Sequence, residues 1–164
     1  RFIASNTDRS RYYVGELNGK SSKQAYMDAL HISESNIINQ TFHNPLGKMN
    51  GQDICIISLK EVSGNGLCCY RQVNDSDVLV LLEEQDYNEI LDETLQRIRR
   101  DFNHISGVFS INCVFRYLLF SQEHHMEDYL KTMSTLGEHA GLIGFGEHYN
   151  QQFVNQTMTC VVFE

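Results

Sequence analysis

The sequence predicts an α/β or α+β fold: a mixed β-sheet packed with about three helices in a single compact domain. Three observations carry this expectation. A chain of 164 residues, 41% hydrophobic and 21% charged, buries a core without needing cross-links. A lone proline, Pro45, leaves long stretches free for regular structure. Strand-like apolar runs also alternate with amphipathic segments in the order β-α-β-β-β-α-β-α-β-β, with no internal repeat.

Residues 1–10 are polar and patternless, so they read as a linker or the remnant of a preceding N-terminal domain, with the folded domain spanning 11–164. Tyr12, Val14 and Leu17 suggest a strand, and Asn18-Gly19 marks a turn. Ser21-Ser22-Lys23-Gln24 is a capping box for a helix reaching about Leu30, with a short turn starting near Ser33. Asp53 to Leu59 and Leu67 to Gln72 flank Ser63-Gly64-Asn65-Gly66, whose Asn-Gly pair suits a tight hairpin. Asp77 to Leu82 is an apolar run of the kind buried on both faces.

Tyr87 to Phe102 is the clearest helix, with Ile90, Leu91, Leu95 and Ile98 on one face. Its acids, Asp86 and Glu89, lie at the N-terminal end and Arg97, Arg99 and Arg100 at the C-terminal end, complementing the helix dipole. Gly107 to Phe115 reads as a strand, and His124 to Leu136 as a helix closed by Gly137. Two last strands, Ala140 to Phe145 and Gln156 to Phe163, flank a polar loop from Glu147 to Asn155.

Composition excludes several classes. A net charge of −8 repels phosphate backbones, so nucleic acid is not an expected partner. Five cysteines without a C-x-x-C pair point to a reducing, cytoplasmic setting. The glycosylation triplets at Asn39, Asn74 and Asn155 therefore read as chance. No apolar stretch approaches bilayer length, so this segment is not expected to insert in a membrane, although it could form part of a membrane-associated receptor. The chain begins at Arg1 rather than methionine, which reads as a piece of a longer protein.

Nucleotide-loop and hydrolase motifs are missing, and Gly141, Gly144 and Gly146 have the spacing of close strand packing or a bend. Arg116 stands out as a permanent cation inside the apolar run Cys113 to Phe120. It must reach water, pair with an internal anion, for which Glu147 is the candidate, or grip a ligand carboxylate or phosphate. Cys113 reads as either an inert core thiol or one activated by that cation, the latter making a cysteine nucleophile the enzymatic alternative. None of the seven histidines are spaced i, i+4 on a helix, so no metal site is expected. His139 and His148 bracket the last glycine-rich strand and are the candidate haem contacts.

Phe109-Ser-Ile-Asn-Cys113-Val-Phe-Arg116, Gly141-Leu-Ile-Gly-Phe-Gly146-Glu147 and Asn155-Gln-Thr157 resemble the C-terminal domain of the FIST family, the F-box and intracellular signal transduction proteins. Tyr13-Val-Gly-Glu-Leu-Asn-Gly-Lys20 and Asn44-Pro-Leu-Gly47 are similar to the family's start. The resemblance implies a non-catalytic sensory domain of a bacterial signalling protein such as a chemoreceptor, binding an amino acid or small carboxylate. It also implies an N-terminal FIST half and an output domain as partners. It carries ligand contacts onto Cys113, Arg116, Glu147, Asn155 and Thr157. Alternatives within the resemblance are a haem-based nitric oxide sensor and a protein-interaction module; no cofactor is required by the leading reading. Phe153 stands where many relatives have a histidine, a departure that bears on any role for that histidine.

Overall fold

Backbone pairing between neighbouring strands organises the first half of the chain into one antiparallel sheet around an apolar core. The computed structural model describes residues 1–51, 53–149 and 152–164. The α+β class with mixed sheets holds, with five α-helices among the described residues where about three were expected. Two compact units are distinguishable, Arg1–Glu84 and Gln85–Glu164.

In the first unit the elements are β1 (Phe2–Asp8), β2 (Tyr13–Leu17), β3 (Lys20–Ser21), α1 (Ser22–Leu30), a 3₁₀ turn (Glu34–Asn36), α2 (Ile37–Gln40), β4 (Leu46–Asn50), β5 (Asp53–Ile57), β6 (Leu59–Ser63), β7 (Gly66–Cys69) and β8 (Val78–Leu81). The strand order is β5-β4-β8-β1-β2-β7-β6, with β3 paired to β2. Leu17, Tyr26, Ile37, Leu46, Ile57 and Leu79 form its buried core. Ser21 Oγ caps α1 by accepting from Gln24 N at 3.2 Å. The Gln24 side chain does not complete the box, donating instead to Asp28 Oδ1 at 2.7 Å. In the β6–β7 hairpin the positive φ, 59°, falls on Gly64 rather than on the Asn65-Gly66 pair, placing glycine at the first central position of the turn.

Order begins earlier than the polar opening residues suggest. Residues 2–8 form a strand between β8 and β2 rather than a linker. Only Ala4 is fully buried; Ser5 Oγ donates to Glu16 at 2.9 Å, and Thr7 N and Oγ1 donate to Asp75 at 3.0 and 2.9 Å. Hydrogen bonding to neighbours, not apolar alternation, makes this strand. At the other side of β1, β8 is only partly buried on one face, since Val78 is exposed.

The second unit comprises α3 (Tyr87–Asp101), β9 (Gly107–Cys113), α4 (Val114–Gln122), α5 (Met126–Ser134), β10 (Glu138–Gly144), β11 (Glu147–Tyr149), β12 (Gln152–Val154) and β13 (Met158–Phe163). The Asp86 side chain caps α3 by accepting from Asn88 N at 2.9 Å and Glu89 N at 3.2 Å. Arg99, in its last turn, donates to Thr135 Oγ1 at 2.6 Å. β9 is the middle strand of three, parallel to β10 and antiparallel to β13. The alternation of β9 buries Val108, Ser110 and Asn112 on one face.

Two expectations are corrected here. The apolar run after Cys113 is the helix α4, not the end of a strand, and His124, at φ 56°, breaks it from α5. The polar loop from Glu147 to Asn155 contains the β11–β12 pairing, and Asn150 and Gln151 lie outside the described residues.

Gly141 faces Ser110 across the β9–β10 pair, where an added Cβ would lie 2.6 Å from both Ser110 O and Oγ. Because one obstacle is backbone, relief requires strand separation. Gly141→Ala is expected to destabilise the protein by about 1–3 kcal/mol, read as a lower urea midpoint in chemical denaturation.

Candidate functional site

The site grows from the joint between β9 and α4. Cys113 ends the strand and precedes the helix, which places Arg116 on the first turn of α4, one turn beyond Asn112. Arg116 Nε donates to Asn112 Oδ1 at 3.3 Å. Its guanidinium carbon lies 4.7 Å from the ring centroid of Phe120 and 5.9 Å from that of Tyr129. These aromatic faces supply cation–π attraction where water has been removed. Burial lowers the Arg116 pKa, while Tyr129, Glu147 and Cys113 pull it up.

The expected Arg116–Glu147 ion pair is not formed: among the described residues no N···O contact within 4.0 Å joins them. The reason is local. Arg116 sits on a helix rather than at a strand end, and its Nε is committed to Asn112.

Glu147 opens β11 and is only 3% exposed. Thr157 Oγ1 donates to its Oε2 at 2.7 Å, whereas the buried Oε1 has no hydrogen-bond partner. Burial pushes the Glu147 pKa up; the Thr157 hydroxyl and the Arg116 charge act the other way. Cys113 N donates to Thr157 O at 3.0 Å, tying the start of β13 to the end of β9. The Cys113 thiol is buried and its pKa is raised, chiefly by desolvation, which disfavours the thiolate that nucleophilic chemistry requires. Asn155 is buried, with Oδ1 beside Gly146, where an added Cβ would lie 3.0 Å from it. Thus Cys113, Glu147, Asn155 and Thr157 gather at the ends of β9, β11 and β13, with Arg116 in electrostatic reach.

Sequence reasoning passed over the residues that hold this arrangement. Asn112 Nδ2 donates to Tyr129 OH at 2.7 Å, and Ser110 Oγ lies 2.9 Å from His139 Nε2 and 3.4 Å from Tyr129 OH. Two polar residues at i and i+2 inside an apolar strand were the available signal, because they share one face.

His139 Nε2 is already bonded to Ser110, and the adjoining cavity measures about 260 Å³, below the roughly 300–1,000 Å³ that encloses larger ligands. His148 is exposed, its ring edge-on to Phe153 at 5.3 Å. No helix among the described residues is long and apolar enough to cross a membrane.

By its sequence the chain falls in a class of domain associated with signal transduction. The chain is a member of the FIST C domain family, whose match covers residues 23–150. Cys113, Arg116 and Glu147 fall within that span, and Asn155 and Thr157 follow it. No curated protein and no solved structure matches the chain.

The raised Glu147 pKa has a definite sign. A carboxyl whose folded pKa is elevated stabilises the fold when protonated, and that stability is lost as pH rises from the ordinary glutamate value through the elevated one. Glu147→Gln is therefore expected to melt a few degrees above the wild type at pH 7, with the difference vanishing at acid pH. Thermal melts across pH would check this; an unchanged difference at all pH values would contradict it.

Proposed function

We propose that this chain is the small-molecule-binding sensory domain of a bacterial signal transduction protein, such as a chemoreceptor, and that it takes an amino acid or small carboxylate. Its partners are an N-terminal FIST half and an output domain, in a reducing, cytoplasmic setting; all five cysteines are free. The supporting observation is the orphaned, buried Oε1 of Glu147 in the field of a guanidinium that is not bonded to it.

Those two groups complement a zwitterion. The ligand ammonium donates to Glu147 Oε1, and the ligand carboxylate meets the terminal amino groups of Arg116, which have no hydrogen-bond partner among the described residues. Thr157 fixes the other Glu147 oxygen, and Asn155 and Cys113 close the surroundings. Binding acts on signalling through differential affinity: a ligand that draws Arg116 towards Glu147 favours one position of α4 over another.

A thermal-shift panel of amino acids, each paired with its amine-only and acid-only analogue, tests the reading. A ligand at 100 times its Kd adds about 2.7 kcal/mol, or roughly 5–10 °C at this length. The zwitterions should give that shift and the half-analogues far less, with Arg116→Ala and Glu147→Gln each abolishing it. Equal shifts for amino acids and their amine-only forms would remove Arg116 from the role.

A further inference from the structure

The helix-covered side of β9 and β10 contains a cavity of about 260 Å³ that none of Cys113, Arg116, Glu147, Asn155 or Thr157 lines. Its walls are apolar, with Phe120 and Met126 inside and Leu130 and Ile143 at the mouth. These two mouth residues are 46 and 45% exposed, so an apolar occupant would remove them from water.

The floor is polar but carries no formal charge. It is made by Ser110, Asn112, Tyr129 and His139, and no Asp, Glu, Lys or Arg lines the cavity. Burial lowers the His139 pKa, favouring the neutral imidazole. A charged ligand would lose its hydration here without a counter-charge in the wall, since Arg116 lies behind Asn112 and Phe120 with its Nε bonded to Asn112.

One floor atom has hydrogen-bonding capacity to spare. Tyr129 OH accepts from Asn112 Nδ2 at 2.7 Å, but the acceptor nearest its own proton, Ser110 Oγ, is 3.4 Å away, long for O–H···O. A ligand oxygen entering from the mouth can take that proton. Size narrows the choice further: an apolar cavity of about 150 Å³ holds benzene, so this one has room for a substituted single ring.

We propose that this cavity is a second binding site, for an uncharged single-ring molecule bearing one hydrogen-bond-accepting oxygen. The ring packs among Phe120, Met126 and Leu130, and the oxygen accepts from Tyr129.

The test uses the whole chain with ¹³C-methyl-labelled methionine. Met126 lines the cavity, and Met133, fully buried, serves as the internal reference. On titration with 4-methylphenol the Met126 methyl signal should move saturably, with a midpoint of about 0.1–1 mM, while Met133 moves far less. Toluene should bind about tenfold more weakly, the worth of one hydrogen bond, and 4-methylbenzoate should not compete. Tyr129→Phe should reduce 4-methylphenol to the affinity of toluene. Ile143→Trp, at an exposed position of the mouth on the same face as Asn112, should abolish binding; Leu130→Trp is the second blocking variant, and a nuclear Overhauser contact between ring protons and the Met126 methyl locates the ligand in the unaltered protein. A still Met126 signal up to the solubility limit overturns the proposal. Equal binding of 4-methylbenzoate, equal binding of toluene, or full affinity in a folded mouth-blocked variant does so too.

Discussion

A guanidinium taken out of water has to be held by something, and Arg116 is held by an amide and two aromatic faces instead of a carboxylate. The Asn112 side chain is the hinge of that solution. Its oxygen accepts from Arg116 and its nitrogen donates to Tyr129, so one buried residue bonds both a cation on α4 and a phenol on α5. Asn112 can do this only because β9 is the middle strand, flanked on both sides and covered by α4 and α5. Placing a polar side chain at such a depth is costly unless it is hydrogen-bonded, and both its oxygen and its nitrogen have a partner.

That arrangement leaves Glu147 uncommitted. Had Arg116 turned to it, the second unit would hold a closed buried ion pair, stable but chemically silent. Instead the carboxylate is half-satisfied by Thr157, and its other oxygen is left buried without a partner. The same asparagine forms part of the floor of the neighbouring cavity, so two distinct environments, one charged and one neutral, share a wall. The first unit has a different character: an eight-stranded antiparallel sheet around an apolar core, with its ion pairs and polar bonds distributed around the strand ends and loops.

Elements specified by their own side chains were legible in the sequence. The stripe of Leu91, Leu95 and Ile98 and the capping Asp86 define α3 without reference to anything else, and Ser21 does the same for the start of α1. Elements specified by partners were not. β1 is drawn into the sheet by the neighbours on both sides of it, so its own alternation carries little signal. α4 is a nine-residue apolar run, too short for periodicity to separate helix from strand. The site followed the same rule: Cys113, Arg116, Glu147, Asn155 and Thr157 could be named as candidates, but whether Arg116 met Glu147 depended on the helix that the run concealed. Ser110, Asn112 and Tyr129 escaped notice because residues of those types acquire meaning only from what they face.

The position of β1 sets a timetable for the nascent chain. Ile3 pairs with Val78, so the first strand of this unit to leave the ribosome cannot complete its place until the unit's last strand has emerged. At about 5–20 residues per second that wait lasts roughly four to fifteen seconds. Throughout it, β1 and β2 can pair as a hairpin, but the far edge of β1 has only solvent or another chain to bond. Its polar side chains, which conceal the strand from a reading of hydrophobic pattern, then limit the apolar surface it offers a second chain to Phe2, Ile3 and Ala4 while it waits.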